Sequence, residues 1–445
     1  MEVMSLKRRL QLNGVQTLAL SFAGLILLGA CLLMLPGASR SGTGIPFLNA
    51  LLTATSASCV TGLAVYDTYT QFSGFGQAVI LCLIQVGGLS IVTVSVLVSV
   101  FLGRKIGVHQ RTVLVDTVGA LQVGGIVRLA RRVLMITLAV EGLGSVLLAV
   151  WFCPRYGSRG LWMSVFHAVS AFCNAGFDLF GTGASLVTVA GEPLLNLVLI
   201  LLILAGGVGF LVWDDLLTHG ACLRRWRLHS KIVLTANAVL ILLGTAAFYE
   251  IEREHAFAEV PEPQKWLMAL FQAVTPRTAG FHTVDLVALQ DSSTVLTMLL
   301  MFIGAGSGST GGGIKVNTAA VLLLSTWAQV FRKAEVNVFE RRLDEENIRK
   351  AYSSVTLYCM VCVAGCMVLC VQGVPLEDAL YEAVSALSTV GLTRDVTPAL
   401  PAFSKMAVIL LMFLGRVGSM SVVMAMTRDR PRPRLRHIAE KILIG

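Results

Sequence analysis

The segment ALYEAVSALSTVG at residues 379–391 decides the fold, because three other stretches of the chain resemble it. Aligned on their final glycines, these stretches are NALLTATSASCVTG (49–62), WMSVFHAVSAFCNAG (162–176) and MALFQAVTPRTAG (268–280). Each contains a Ser or Thr near the same place, and the second, third and fourth along the chain share an Ala-Val-(Ser/Thr) step. The four final glycines are 104 to 114 residues apart, a spacing that indicates an internal repeat.

Long apolar stretches flank these segments. The chain is 55% apolar and only 14% charged, which favours the bilayer as its solvent. A membrane span needs about 20 mostly apolar residues. The stretches that qualify are 17–35, 78–102, 128–152, 193–213, 231–250, 294–331 (interrupted), 352–372 and 404–426. The sequence therefore predicts an all-α integral membrane protein with eight transmembrane helices.

The predicted organisation repeats one unit four times: a helix, a short helix with a loop, and a second helix. The segments are a cytoplasmic N-terminus (1–16), repeat 1 (17–102), repeat 2 (128–213), repeat 3 (231–331), repeat 4 (352–426) and a cytoplasmic C-terminus (427–445).

The basic residues fix the predicted orientation. With both termini in the cytoplasm, 25 Lys and Arg residues fall on the cytoplasmic side and eight on the other. This asymmetry follows the positive-inside rule. The basic residues behind the net charge of +9 therefore determine the membrane topology, and we expect no nucleic-acid partner.

Each short helix of about 12 residues would be roughly 18 Å long, about half the hydrocarbon thickness. It can enter the membrane from outside, stop halfway and return as extended chain, provided that the loop lines a watery path. Four such loops around one axis, in a pseudo-fourfold arrangement, would share a single pore.

The four loop tips have different side chains, so the feature they have in common is the backbone, which ends in a glycine. Rings of backbone carbonyls can replace the hydration shell of a cation, as in potassium filters, and the helix dipoles add negative potential. A final glycine tolerates the unusual dihedral angles required. The predicted potassium-binding filter consists of Val60, Thr61, Gly62, Asn174, Ala175, Gly176, Thr278, Ala279, Gly280, Thr389, Val390 and Gly391.

A glycine-rich run breaks the sixth predicted span at residues 304–315. A straight helix with so much Gly would lose roughly 1 kcal/mol per Gly relative to Ala, so we expect an irregular intramembrane loop that acts as a gate. Arg416, about ten residues into the last span, is costly there and is expected to act as an electrostatic barrier. The predicted gate residues are Gly304, Gly306, Gly308, Gly311, Gly312, Gly313, Lys315 and Arg416.

Several features leave two interpretations open. Glu141 is either a proton or ion site or a group that packs against a polar neighbour. The cysteine stripe 359–370 is either a metal site or a set of small packing residues. Charge-rich segments at 332–350 and 428–441 are either docking surfaces or topology signals. Four acidic residues either concentrate cations at the outer mouth or are solvated loop carboxylates: Asp67, Asp178, Asp285 and Asp395.

The chain resembles the Trk/Ktr/HKT superfamily of potassium transporters. The resemblance is carried by SASCVTGL, SAFCNAGFDLFG, RTAGFHTVD, STVGL, GSTGGGIK and GRVG, and it covers essentially the whole chain. The eight-span length is similar to the KtrB type, the membrane subunits of bacterial Ktr systems, more than to the longer TrkH type.

This resemblance implies a homodimer in the bacterial cytoplasmic membrane, with one potassium pore in each subunit. It also implies a cytoplasmic KtrA-like ring that binds adenine nucleotides and controls opening, and stimulation by sodium. By motif, Gly62, Gly176, Gly280 and Gly391 match the filter glycines, and Arg416 matches an arginine that faces the gate. Cys173 and Ser419 depart from the family pattern, where Asn and Pro are usual.

The chain contains no nucleotide-binding P-loop or catalytic triad, so we expect a passive conduit with no cofactor of its own. One alternative is a transporter of the same superfamily that prefers sodium or selects poorly. The other is an intramembrane enzyme or non-conducting adaptor that uses Glu141 or the cysteines.

Overall fold

The computed structural model describes residues 14–90, 93–94 and 126–418. Parts of several predictions lie outside the described residues: most of the N-terminus, the basic segment before 126, the far ends of the spans predicted at 78–102 and 404–426, and the whole C-terminus.

The described chain is mostly helical, and we number its α-helices α1 to α15. Repeat 1 contains α1 (Gly14–Leu33), α2 (Phe47–Cys59), α3 (Thr68–Gln71) and α4 (Gly74–Leu89). Repeat 2 contains α5 (Ile126–Tyr156), α6 (Ser158–Phe172), α7 (Pro193–Gly207) and α8 (Phe210–His219). Repeat 3 contains α9 (Leu228–Glu252), α10 (Glu262–Val274), α11 (Asp291–Phe302) and α12 (Val316–Val330). Repeat 4 contains α13 (Glu345–Val371), α14 (Leu376–Ser388) and α15 (Ala402–Val417).

Other regular elements are short. A two-stranded antiparallel hairpin joins β1 (Asn337–Val338) to β2 (Arg341–Arg342), so the all-α expectation needs this small correction. Single 3-10 turns occur at Pro36–Ala38, Val187–Val189, Leu223–Arg225 and Thr397–Ala399.

The first helix of each repeat is long and apolar enough to cross a bilayer. These segments are Gln16–Leu33, Val127–Tyr156, Leu228–Glu252 and Glu345–Val371. They expose large apolar side chains, including Leu242 at 70% and Met360 at 65%, as helices that face lipid do. The chain is therefore a multi-pass membrane protein.

The second helix of each repeat differs from a simple span. α4 and α15 lead into residues outside the description, and α11 and α12 are separated by residues 303–315. The stretch predicted as one span, 193–213, is not a straight helix, because α7 and α8 are bent by 91°, and the span itself stays a prediction. Gly209 at the bend has φ +101°, which interrupts the helix. The count of eight spans stays a prediction.

The four short helices, α2, α6, α10 and α14, have 13, 15, 13 and 13 residues. Prolines start three of them: Pro46, Pro261 and Pro375 each occupy the N-cap, where a missing N–H costs nothing. The C-terminal ends of the short helices are fully buried, so the molecule packs around them.

Candidate cation pore

The loops that follow the short helices have one backbone conformation. We call residues 60–62, 174–176, 278–280 and 389–391 the tip loops. The first residue of each is left-handed: Val60, Asn174, Thr278 and Thr389 have φ of 58°, 59°, 72° and 52°. Three of these four are β-branched, for which this conformation is an outlier that costs about 1–3 kcal/mol. Such strain at four equivalent positions points to a function.

The middle residue of each tip loop bonds back to its own short helix. The amides of Thr61, Ala175, Ala279 and Val390 donate to the carbonyls of Ser56, Ser170, Thr275 and Ser385 at 2.7–2.9 Å. These bonds satisfy the loop N–H groups from behind. Each tip loop is therefore anchored with its amides turned toward the protein.

The backbone carbonyl groups of the tip loops are available to bind a ligand. Among the hydrogen bonds between described residues, none is accepted by a backbone oxygen of the four tip loops. Buried carbonyls normally have partners, so a group of twelve without any requires an explanation. A dehydrated cation would provide one.

The final glycines close the tip loops into a ring. An added Cβ at Gly62 would lie 2.8 Å from the Ala175 oxygen, and one at Gly176 would lie 2.9 Å from the Gly280 Cα. The same atom at Gly280 would lie 2.7 Å from the Val390 oxygen, and at Gly391 it would lie 2.0 Å from the Thr61 oxygen. Each repeat thus meets the next, and the fourth meets the first. Positive φ at all four positions adds a second reason for glycine.

A hydroxyl on each short helix supports its tip loop. Ser56 Oγ accepts from the Gly62 amide at 3.0 Å, and Ser385 Oγ accepts from the Gly391 amide at 3.1 Å. Ser170 bonds both the amide and the carbonyl of Phe177, and Thr275 donates to the Phe281 carbonyl. The sequence showed these hydroxyls as a repeated Ser/Thr, but it did not reveal their supporting role.

Glycines of the second helices pack against the ends of the short helices. Added Cβ atoms at Gly87, Gly206 and Gly415 would lie 2.0, 1.8 and 1.9 Å from the carbonyl oxygens of Ser58, Phe172 and Leu387. Each of these carbonyls is four residues before a tip glycine. Backbone-to-backbone contact therefore explains why these three positions, in repeats 1, 2 and 4, are glycine.

The 304–315 loop lies directly against the tip loops. An added Cβ at Gly311 would lie 2.1 Å from Thr278 Oγ1, and one at Gly312 would lie 2.1 Å from Thr389 Oγ1. The loop is pinned at its ends, where Gly304 N donates to the Ile314 carbonyl at 2.9 Å. Because Gly311 and Gly312 have no side chain, the backbone of the 304–315 loop can lie closer to the tip loops than any other residue would permit.

Repeat 2 also holds this loop. Gly306 N donates to the Gly207 carbonyl at 2.8 Å, and Phe210 N donates to the Gly308 carbonyl at 2.9 Å. These partners lie on either side of the bend between α7 and α8. The break in repeat 2 and the 304–315 loop therefore form one structure, which the hydropathy pattern did not indicate.

Three cationic side chains contact the same loop. Lys315 Nζ donates to the Gly311 carbonyl at 2.6 Å, and Arg416 donates to the Thr310 carbonyl. Arg277, only 4% exposed, donates from Nη2 to the Gly304 carbonyl at 3.2 Å, and its Nη1 has no protein partner. Arg277 precedes tip residue Thr278, so it joins the third tip loop to the 304–315 loop. The sequence pattern alone does not distinguish Arg277 from other loop residues.

Glu141 and the cysteine stripe 359–370 are the next residues for which the sequence leaves two interpretations open. Glu141 Oε2 accepts from Gln85 Nε2 at 3.2 Å, and Glu141 Oε1 lies 3.8 Å from the Cys173 sulfur. Glu141 thus packs against a polar neighbour behind the second tip loop. Cys362 and Cys366 are buried and Cys359 is exposed.

Three of the four acidic residues beyond the tip glycines, Asp67, Asp178 and Asp285, accept backbone hydrogen bonds. Asp67 caps α3 through Thr70 and also accepts from Gly183 N at 3.2 Å. Asp178 accepts from Phe180 N at 3.0 Å. Asp285 and Asp395 line one cavity of about 190 Å³ together with His282. Asp67 and Asp178 are thus half-buried, whereas Asp285 and Asp395 are exposed, so both interpretations of these carboxylates stay open.

The fold is that of a known class of membrane transport protein. It is similar to the crystal structure of the potassium transporter TrkH from Vibrio parahaemolyticus, with a TM-score of 0.75, 18% identity, and coverage of 93% of this chain and 84% of that one. At this identity the similarity concerns the fold alone.

The sequence comparisons identify the family. Residues 11–438 match the family TrkH, described as cation transport protein. The Ktr system potassium uptake protein B of Bacillus subtilis is 38% identical over 93% of each chain. The potassium/sodium uptake protein NtpJ of Enterococcus hirae is 37% identical over the full length of both. This chain belongs to the TrkH family of cation transport proteins. It is a membrane transporter and not an enzyme.

Proposed function

We propose that this protein takes up potassium across the bacterial cytoplasmic membrane through the ring of four tip loops. The single observation that carries the proposal is the closed ring of strained loops whose carbonyls accept no hydrogen bond from the described residues. Carbonyls without protein partners, held from behind by their own amides, suit a cation that has lost its water. The driving force would be the membrane potential, about 2.3 kcal/mol per charge per 100 mV.

The filter would use backbone atoms from Val60 to Gly62 and from the three equivalent tip loops. The short helices point their C-terminal ends at the ring, so their dipoles add negative potential there. Both contributions favour cations over anions. The tip side chains differ, so selectivity would come from the shared backbone geometry.

The 304–315 loop would act as the gate. It contacts Thr278 and Thr389 of the ring and carries the bonds from Lys315 and Arg416. Positive charge next to a cation path raises the energy of an ion there. Movement of the loop, together with these cations, would open the path.

We further propose eight spans with both termini in the cytoplasm, because the basic residues divide 25 to eight between the two sides. A homodimer and a cytoplasmic KtrA-like ring that binds adenine nucleotide belong to the same proposal, because the sequence resembles the KtrB type, and two relatives are named Ktr system potassium uptake protein B. The hairpin at 337–342 and the start of α13 carry exposed ion pairs, such as Arg342–Glu335 at 2.7 Å, and are candidate docking surfaces.

A second candidate function is supported by one relative. NtpJ is named for both potassium and sodium, and it is 37% identical over the whole chain. A transporter that prefers sodium or selects poorly is therefore the alternative. Sodium would then be a transported ion, and not only an activator of potassium uptake.

Uptake of rubidium and sodium into liposomes that contain the purified protein separates the two candidates. We expect faster rubidium uptake, inhibited by external potassium. Uptake of rubidium no faster than sodium would contradict the potassium assignment. Gly62→Ser should lower the rubidium-to-sodium ratio, because its side chain would collide with the Ala175 carbonyl. Gly142→Ser, on lipid-facing α5 with nothing within 4 Å of the added Cβ, is the matched control.

A further inference from the structure

A cavity outside the pore lies between repeats 1 and 2. Its volume is about 440 Å³. One wall comes from the start of α4 and the other from the start of α6. The lining residues are Arg40, Tyr69, Gly74, Gln77, Ala78, Arg159, Trp162, Met163 and Leu179.

Two guanidinium groups converge on one aromatic ring in this cavity. The Arg40 Cζ lies 4.0 Å and the Arg159 Cζ lies 3.5 Å from the centroid of the Tyr69 ring. Stacking on an aromatic ring holds both planar groups in place. The cavity thus contains two preoriented positive charges.

These charges have no acidic partner in the described part of the chain. Arg40 Nε donates to the Phe72 carbonyl at 3.2 Å, and Arg159 Nη2 donates to the Leu179 carbonyl at 3.3 Å. No carboxylate of a described residue lies within 4.0 Å of either group. Arg159 Nε is buried and has no hydrogen-bond partner. A buried donor of this kind is costly unless a ligand satisfies it.

The N-terminus of α6 adds to the positive potential. The helix begins at Ser158, and its N-cap, Gly157, supplies no side-chain hydrogen bond. The Gly160 amide already donates to the Gly157 carbonyl at 3.0 Å, which leaves the amides of Ser158 and Arg159 for an anion, and the dipole of this 15-residue helix favours one.

The cavity has an apolar wall, which is formed by Ala78, Trp162, Met163 and Leu179. Phe75, next to Gly74 on α4, is 50% exposed, and Leu161, next to Trp162 on α6, is 60% exposed. In a membrane protein such side chains face acyl chains and not water. A ligand that matches both the two arginines and this apolar wall is an anion with an apolar part.

From these observations we infer that the cavity binds an anionic phospholipid, with its phosphate between Arg40 and Arg159 and its acyl chain along Trp162 and Ala78. Arg–phosphate hydrogen bonds supply the affinity, and the apolar wall excludes free phosphate. Arg159 also bonds Leu179, three residues after Gly176, so a bound lipid would stabilise the chain that follows the second tip loop. This inference does not depend on which cation the pore carries.

Lipid retention by the full-length protein tests this site. The protein is purified from phosphatidylcholine bilayers that contain a minor fraction of phosphatidylglycerol, and native mass spectrometry counts the retained lipid. We expect preferential retention of phosphatidylglycerol by the wild type, and about tenfold weaker retention by Arg40→Gln and Arg159→Gln. Arg159→Lys should retain an intermediate amount, because it keeps the charge.

Arg155→Gln is the matched control, since Arg155 is nearby but already paired with Glu192 at 3.2 Å. Equal losses in Arg155→Gln and Arg159→Gln would overturn the proposal, as would equal retention of the two lipids by the wild type. Inorganic phosphate alone should not raise the melting temperature in neutral detergent. If it does so as well as phosphatidylglycerol, the site binds a free anion. If Arg159→Gln does not fold, Arg40→Gln decides, because Arg40 is exposed.

Discussion

Arg416 donates a hydrogen bond to the carbonyl oxygen of Thr310, so α15 holds the middle of the 304–315 loop. Its other terminal nitrogen donates to the carbonyls of Gly87 and Gly88 at the end of α4. One side chain therefore connects repeats 1, 3 and 4 next to the ring. Removing it should affect both the charge near the path and the position of the loop.

Arg416→Ala should give several-fold faster rubidium uptake that responds less to regulation. The substitution removes a positive charge beside the cation path and releases the loop from α15. The measurement is the initial rate of uptake into liposomes at equal protein content. Arg416→Lys keeps the charge but cannot bond both Thr310 and Gly87 as the guanidinium does, so its uptake should lie between that of the wild type and that of Arg416→Ala. Unchanged or abolished uptake in Arg416→Ala would count against a barrier at this position.

Deleting residues 306–312 should also increase uptake. The segment includes Gly311 and Gly312, which lie against the tip-loop side chains of Thr278 and Thr389. The shortened loop would no longer reach the ring, while the bond between Gly304 and Ile314 keeps its ends together. A variant that is inactive although correctly folded, as judged by its elution and melting temperature, would contradict the gate assignment.

Ser385→Ala should lower the rubidium-to-sodium uptake ratio. The substitution leaves the buried Gly391 amide without its partner, a loss of about 1–3 kcal/mol, and frees the fourth tip loop to distort. Ser164→Ala is the control, because Ser164 is equally buried on α6 but bonds only the Gly160 carbonyl of its own helix. A ratio that falls equally in both variants would show a general effect of packing.

The positions of the tip glycines could be predicted from the sequence, because a glycine at the end of a repeated short helix has a direct steric meaning. The break at 304–315 could be predicted for a similar reason, since so many glycines disfavour a helix. In both cases the residue type itself indicates the local backbone structure.

The bend at Gly209 could not be predicted in the same way. The apolar run continues through 193–213, and hydropathy records burial in lipid but not the direction of the helix. The bend is stabilised by bonds from Gly306 and Phe210, which join segments about 100 residues apart. The role of Arg277 was missed for the same reason, because its partner, Gly304, is distant in sequence.

Cation uptake should increase with pH around pH 6 because of Asp178. Burial raises the pKa of this carboxyl from 3.8 to about 6, against the lowering effect of the hydrogen bond from Phe180 N, and the nearby charge of Asp67 raises it further. Asp178 is two residues beyond Gly176, so its negative charge would attract cations to the mouth once it ionises. Uptake should therefore be low at about pH 5 and higher at about pH 7.

Asp178→Asn should remove this increase and keep uptake at the low level at both pH values, whereas Asp285→Asn should preserve it. Stability changes in the opposite direction. Since the folded-state pKa is raised, the folded protein binds the proton more tightly, and stability falls as pH rises from about 4 to about 6. Asp178→Asn should thus melt at a higher temperature than the wild type at pH above 6, and not below 4. A pH step that persists in Asp178→Asn would assign the titration to another group.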